Sequence, residues 1–472
     1  MTNDLMLLMP LIIVGAGAIV LMLASTCTRI THECAAYGSA GLFAVAFLAQ
    51  LSFCIAGQVA PFAEAFNGIL VASNFSKAAG LIILACGFFT SLSSQAYFKR
   101  NNFYSPEYYS LTAFAASGML LLTMAQELIT VFIALEIMSL AIYVLVGYDR
   151  KNVISTEAVL KYLMLGAFAG AFFVLGSALV YGAAGSTKFI NIGQYVAEVG
   201  MLHSPAMIGG AFFIMVAFLF KAAAFPFHAW VVDVYDGASV PVTGYMATGL
   251  KTAIFAVFAN FLVIDGGLQH KWITLLFWIS VLTMFVGNLI AIGQQSLKRM
   301  LAASGIVHSG YLLIALVAIG TKDFTGSVIA YYLAAYAAGT LGIFTALSYL
   351  GGEGEARKNF DDFKGLAKAR PYSAAAISIF LLSMAGIPPT AGFMGKLYII
   401  TSAINAGEIT LAVLGIVSSI ISMWYYLRLI IAMYFHEAEE QFDEPEIASW
   451  APACTFVLVL CVFAISLYPI AV

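Results

Sequence analysis

The chain has 472 residues, of which 62% are hydrophobic and only 10% charged, with a formal net charge of −3 and a mean hydropathy of +0.96. Soluble domains carry about a quarter of their residues as Asp, Glu, Lys or Arg, so this composition cannot clothe a globular surface in water and points to an all-α polytopic membrane protein. No basic cluster favours nucleic acid, and the six cysteines (Cys27, Cys34, Cys54, Cys86, Cys454, Cys461) show neither C-x-x-C nor Cys/His spacing; a zinc site, an iron–sulfur cluster and a disulfide framework are not expected here.

A membrane span needs about 20 apolar residues. In chain order that rule marks fourteen segments: 5–25, 35–57, 75–97, 107–125, 128–147, 157–182, 206–227, 241–264, 272–292, 300–320, 325–350, 372–401, 409–435 and 449–470. The first starts in "MTNDLMLLMP", which has Asp4 but no Lys or Arg, so it reads as a retained span and not a cleaved signal peptide. The longest polar stretch, 351–371, is only a loop. The whole of 1–472 is therefore read as one membrane domain, divided into 1–105, 106–264, 272–435 and 449–472.

Lys and Arg in short loops set orientation. Twelve (Arg29, Lys99, Arg100, Arg150, Lys151, Lys298, Arg299, Arg357, Lys358, Lys364, Lys368, Arg370) fall in alternate loops assigned to the cytoplasm, against four (Lys77, Lys188, Lys271, Lys322) on the other side. Both termini are expected outside, on the periplasmic face of a bacterial inner membrane.

An internal repeat is also visible. "YLMLGAFAGAFFVLGSALVYG" (162–182) and "YYLAAYAAGTLGIFTALSYLG" (331–351) share a first Tyr, an internal Gly and a final Gly at a constant offset of 169 residues. A proline-interrupted span follows each copy, at Pro226 and at Pro388–Pro389. Five spans, an odd number, separate the copies, so the two units would run with opposite topology. Transporters build midplane ion sites from inverted repeats with broken helices.

Five ionisable residues fall inside apolar spans: Glu136, Lys161, Lys221, Lys251 and Lys396. A charge at a helix centre costs about 2.5–3.5 kcal/mol on insertion scales, so together they cost on the order of 10 kcal/mol against a stability of about 5–15. Such residues mark proton paths by default. Each has a plainer reading as well: a purely structural role for Glu136 and Lys251, and snorkelling for Lys221 only if its helix ends early. Lys161, one turn into its helix with Glu157 four residues before it, also reads as an interfacial anchor, and Lys396, near the end of its span, as a snorkelling side chain.

"FLFKAAAFPFHAW" joins Lys221 to Pro226 and His228. Proline breaks the hydrogen-bond ladder and frees carbonyls near Ala222, which is tolerated at membrane depth only against protein or water. His228 can exchange a proton near neutral pH. "AGIPPTAGFMGKLY" repeats the combination with Lys396. His308, carried back by the 169 offset, maps to position 139, one turn from Glu136; it reads either as a proton-path residue or as a core histidine bonded to a carbonyl. Asp233 and Asp236 are expected to be cap or loop residues, or contacts to Lys251 or a partner subunit.

These residues lead to a resemblance. "ELITVFIALEIMSLAIYVLVGY", "STEAVLKYLMLGAFAGAFFVLGSALVYGAAGS", "FKAAAFPFHAWVVDVYDGASVPVTGYMATGLKTA", "QQSLKRMLAASGIVHSGY" and "LLSMAGIPPTAGFMGKLYI" resemble the antiporter-like membrane subunits of respiratory complex I, nearest to the subunit N branch. The resemblance implies fourteen helices, two inverted five-helix repeats, broken seventh and twelfth helices, and proton transfer along a hydrated mid-membrane axis. By motif match, Glu136 and Lys221 would be a coupled pair, Lys251 the relay and Lys396 the exit, with Lys161, His228 and His308 auxiliary. The flavin, iron–sulfur clusters and quinone would belong to partner subunits, with no cofactor and no metal in this chain. The other complex I subunits and the lipid bilayer would be its partners. No long lateral helix is expected after residue 470, unlike in a sister subunit. An Mrp-type cation/proton antiporter subunit or the corresponding subunit of a membrane hydrogenase shares the same Lys/Glu machinery. An organic-anion carrier and a passive scaffold are readings of other classes.

Overall fold

A computed structural model of the protein describes residues 5, 7–27, 31–55, 62–102, 106–201, 204–263, 268–319, 326–438, 442 and 449–468. Arg29 and Lys322 lie outside the described residues, as does the side chain of Lys271. The first elements are α1 (Met9–Ser25), α2 (His32–Ile55), a hairpin of β1 (Phe62–Ala65) and β2 (Leu70–Ser73), α3 (Asn74–Arg100), α4 (Glu107–Met124), α5 (Leu128–Val146) and α6 (Val153–Ala184). A short α7 (Phe189–Val199) precedes α8 (Pro205–Lys221) and α9 (Ala229–Gly237). Then come α10 (Val240–Leu262), α11 (Leu268–Ile292), α12 (Leu297–Val317), α13 (Ser327–Leu350), α14 (Pro371–Ala385), α15 (Ala391–Asn405), α16 (Ile409–Phe435) and α17 (Ala451–Ser466). Among the described residues, nine helices are long and apolar enough to cross a bilayer, and four shorter apolar ones accompany them.

With lipid as apolar as the side chains, close backbone approach has to supply helix association, which favours small residues at contacts. Helices α6 and α8 meet at Gly176 and Gly210: a Cβ on Gly176 would stand 2.6 Å from the Gly210 carbonyl oxygen. Gly118 serves α4 against α5 in the same way, 2.5 Å from the Met138 nitrogen. Helices α10 and α12 are buried on every side, whereas α6 leaves most of its length uncovered. The two wrapped helices carry Lys251 and His308.

Both proline-bearing spans are broken. The seventh stops at Lys221, loops through a cis Phe225-Pro226 peptide and resumes as α9, reaching Gly237, ten residues past its expected end. The segment expected as one span over 372–401 is two helices, α14 and α15. Gly386 closes α14 at φ +84°, where a side chain would strain the backbone and a Cβ would press on Lys396 Cδ at 2.8 Å.

Three features depart from the sequence expectations. The hairpin, in register Phe62 with Ser73 and Ala65 with Leu70, is too short for a 20-residue rule to detect. So is α7, which buries Phe189, Ile192, Gly193 and Val196 on one face, the spacing of an amphipathic helix. Lys298 and Arg299, expected in a loop, stand in the first turn of α12.

Candidate functional site: a row of buried lysines

Lys221 is the last residue of α8 and is buried. Its ammonium donates to Ser139 Oγ at 2.8 Å and to Tyr143 OH at 3.4 Å, both on α5, and it lies over the rings of Tyr143 and Tyr162 at 5.4 and 5.5 Å. Gly166 on α6 makes the room, since a Cβ there would collide with the Tyr143 hydroxyl. Trp230 on α9 stacks on Tyr162 with centroids 4.7 Å apart and donates from Nε1 to the Phe220 carbonyl at 3.2 Å. The second half of the broken helix thus ties down the end of the first.

Glu136 shares the α5 stripe of Ser139 and Tyr143 by i, i+3, i+7 spacing. It is half-buried and faces Gly170 of α6, where a Cβ would meet Oε1 at 3.3 Å. Among the described residues it forms no ion pair with Lys221. Glu136 and Lys221 therefore stand on different helices without contact, and Ser139 and Tyr143, on the Glu136 face of α5, supply the hydrogen bonds to the ammonium.

Lys251 sits where a π-helical turn, Met246–Leu250, returns to α-helix. Such turns interrupt the ladder and recur at functional sites. The buried ammonium donates to the Gly305 carbonyl on α12 and lies 5.0 Å from the centroid of Tyr336. Ser309, one turn after Gly305, donates to the Ala222 carbonyl at 2.6 Å and is 3.2 Å from the Gly305 carbonyl. The carbonyl beside Lys221 and the one that holds Lys251 therefore share a hydroxyl. The freed carbonyls expected near Ala222 are real, and side chains satisfy them.

His308 is buried on α12 between two tyrosines: Nδ1 faces Tyr332 OH at 2.6 Å and Nε2 faces Tyr426 OH at 3.2 Å. The Tyr336 ring is 4.7 Å from its own. The core-histidine reading bonded to a carbonyl is corrected, since both ring nitrogens meet hydroxyls. His308, Tyr336, Ser383 and Lys396 line one cavity of about 10 Å³, close to what a single water needs.

Lys396 reaches back across the second break. Its ammonium donates to the Ala385 carbonyl, the last of α14, at 2.8 Å and to Ser419 Oγ at 2.9 Å, beside the Tyr311 ring at 5.0 Å. It is buried, which corrects the snorkelling reading: the break turns the side chain inward.

The remaining expected residues stand apart from this row. Lys161 is half-exposed and pairs with Glu157 at 2.7 Å, as expected, and with Asp233 at 2.8 Å. Asp233 also meets Arg299 at 3.2 Å, and Asp236 meets it at 3.4 Å. Asp233 is thus a helical residue of α9 bound to α6 and α12, not a loop residue and not a contact of Lys251. His228 caps α9, stacks on Phe225 at 5.6 Å and leaves Nδ1 without a partner; it makes no hydrogen bond to Lys221 among the described residues. No group of three or more His, Cys, Asp or Glu among the described residues is placed to hold a metal ion.

The sequence reading missed the tyrosines Tyr143, Tyr162, Tyr311, Tyr332, Tyr336 and Tyr426, the hydroxyls Ser139, Ser309 and Ser419, and Arg299 as the bridge between α9 and α12. Ser139 and Tyr143 were findable, one and two turns from Glu136. The others depend on helices that meet only in the fold.

Residues 125–422 match the family described as "NADH:quinone oxidoreductase/Mrp antiporter, TM". NADH-quinone oxidoreductase subunit N of Trichlorobacter lovleyi is 40% identical over 381 residues, 80% of this chain and 78% of that one. Subunit N of Rhodospirillum rubrum is also 40% identical, over 80% of this chain and 77% of its own. Among solved structures, a chain of respiratory complex I from Thermus thermophilus with bound aureothin superposes with a TM-score of 0.81 at 30% identity, covering 97% of both chains. A chain of the Mrp complex from Dietzia sp. has a TM-score of 0.84 at 18% identity, covering 99% of this chain and 95% of its own; that likeness speaks for the fold alone.

Proposed function

We propose, from the premise that this chain belongs to the NADH:quinone oxidoreductase/Mrp antiporter membrane family, that it is the proton-translocating subunit N of an NADH-quinone oxidoreductase. Identity of 40% to proteins of that name, against 18% to the Mrp chain, favours this reading over a cation antiporter. One observation carries the proton-transfer role. Lys221, Lys251 and Lys396 are buried with no carboxylate ion pair among the described residues, and each ammonium is held by hydroxyls or carbonyls of adjoining helices.

An amine in that setting can lose and regain a proton without leaving an unpaired carboxylate behind. The Ser309 hydroxyl bridges the carbonyl of Ala222, next to Lys221, and the Gly305 carbonyl that holds Lys251. Tyr336 stands beside both the Lys251 ammonium and the His308 ring, and His308 lines one cavity with Lys396. In this account Glu136, Lys221, Lys251 and Lys396 hold the transferred protons in turn, and His308 passes them between the last two. Lys161 and His228 act at the rim. NADH oxidation and quinone reduction take place in partner subunits, which hold the flavin and clusters.

The two broken helices and the 169-residue offset support two inverted units over 106–264 and 272–435 within a fourteen-helix chain. The Lys/Arg distribution supports both termini on the outer face of a bacterial inner membrane.

The test is proton pumping by the assembled complex carrying Lys221→Ala, with assembly and electron transfer measured separately. Pumping should be lost while the complex still assembles. Full pumping would remove the mechanism and leave the family assignment standing.

A further inference from the structure

Five lysines of this chain fall into two groups by what stands beside the ammonium. Lys161 and Lys298 each have a carboxylate within 2.8 Å, and no aromatic ring faces either ammonium among the described residues. Lys221, Lys251 and Lys396 have no carboxylate ion pair there, yet each lies over a tyrosine ring, at 5.4 and 5.5, 5.0 and 5.0 Å. A cation within about 6 Å of a ring centroid is attracted by the ring's quadrupole, most strongly when water is excluded.

These rings are held by other contacts. Tyr162 is stacked on Trp230 and set edge-on to Tyr143. Tyr311 donates to Ser418 Oγ at 3.2 Å. Tyr336 lies between the Lys251 ammonium and the His308 ring. A carboxylate neighbour would compete for the proton and hold the ammonium as a closed pair. A ring face steadies the charged form but has no lone pair able to take the proton.

We propose that Tyr336, Tyr311 and the Tyr143–Tyr162 pair are positioning residues whose ring faces act as fixed counter-charges for Lys251, Lys396 and Lys221, so that each lysine holds and releases a proton with no carboxylate in contact with its ammonium. This rests on the proton-transfer reading above, and it assigns a role to side chains that reading leaves out.

The experiment uses the assembled complex in proteoliposomes, with NADH-driven electron transfer and proton pumping recorded together. Position 336 is varied as Tyr336→Phe, as phenylalanines with increasing ring fluorination, and as Tyr336→Leu. Fluorine drains the ring face of negative charge and leaves its shape nearly unchanged. The expected result is full pumping with Phe, a stepwise fall with each added fluorine, and loss with Leu, all at retained assembly. Equal pumping across the fluorinated series overturns the proposal, and so does loss with Phe, because the hydroxyl would then be the acting group. The same series at Tyr311, beside Lys396, decides the matter if the Tyr336 variants fail to assemble. Lys251→Ala separates the two levels: normal pumping in that variant brings down the proton-transfer reading itself, whereas lost pumping with a flat ring series brings down only the role of the rings.

Discussion

Lys298→Met should destabilise this protein far more than any change to the Lys161 pairs. Lys298 lies in the first turn of α12, where the helix dipole disfavours a cation, and its side chain is only 6% exposed. All three ammonium protons are used: to Glu355 Oε2 at 2.7 Å, to the Asp236 carbonyl at 2.9 Å and to the Ala238 carbonyl at 2.7 Å. The other oxygen of Glu355 accepts from the Val240 amide at 3.1 Å. The Lys298–Glu355 pair thereby joins α12, the end of α9, the start of α10 and the 351–370 loop. Removing one partner of a buried pair costs about 3–5 kcal/mol, because the other charge is left stranded. That is a large share of a total of about 5–15. By contrast, the Lys161 and Glu157 side chains are 42% and 62% exposed, and exposed pairs contribute about 0–1 kcal/mol. The assay is a double-mutant cycle of Lys298→Met and Glu355→Gln, read by thermal unfolding of the purified protein in detergent. Each single variant should lose several kcal/mol and the double should recover a large part. A Lys298→Met protein within about 1 kcal/mol of wild type, or a double no better than the singles, would refute the reasoning.

Gly210→Val should push α8 off α6, because a Cβ there already meets the Gly176 carbonyl oxygen at 2.8 Å. Overpacking of this kind costs about 1–3 kcal/mol, and the yield of assembled complex in the membrane would show it. Asp233→Asn should cost no more than about 1 kcal/mol, since its partners Lys161 and Arg299 are part-exposed; melting curves check this. Tyr332→Phe removes the 2.6 Å partner of His308 Nδ1 at a cost of about 1 kcal/mol, and the proton-to-electron ratio should fall while electron transfer continues.

The buried lysines were legible because a charge inside an apolar run is a rare signal that survives any packing arrangement. The breaks were legible for a similar reason: proline acts locally, whatever surrounds it. The tyrosines were not, because 23 of them are spread over apolar spans where an aromatic residue needs no special explanation. Only the meeting of α5 with α8, or of α10 with α13, tells Tyr143 and Tyr336 from the rest. The link from Asp233 to Arg299 was hidden by its 66-residue separation, and the π-helical turn before Lys251 carries only Gly249 as a local signal, one shared by many apolar spans. The hairpin could have been found, since Asn67-Gly68 between two short runs is a recognised hairpin signal; the search for long apolar segments passed over it.

Arginine at position 251 separates a carried charge from a carried proton. Lys251→Arg keeps the cation beside Tyr336, but a guanidinium does not deprotonate in proteins. The decisive measurement is the proton-to-electron ratio of the assembled Lys251→Arg complex, beside Lys251→Ala and wild type. A row that conducts by protonation and deprotonation predicts lost pumping in both variants with the subunits still assembled. Pumping sustained by the arginine variant would show that only the charge matters there, and would contradict proton transfer through the lysine row.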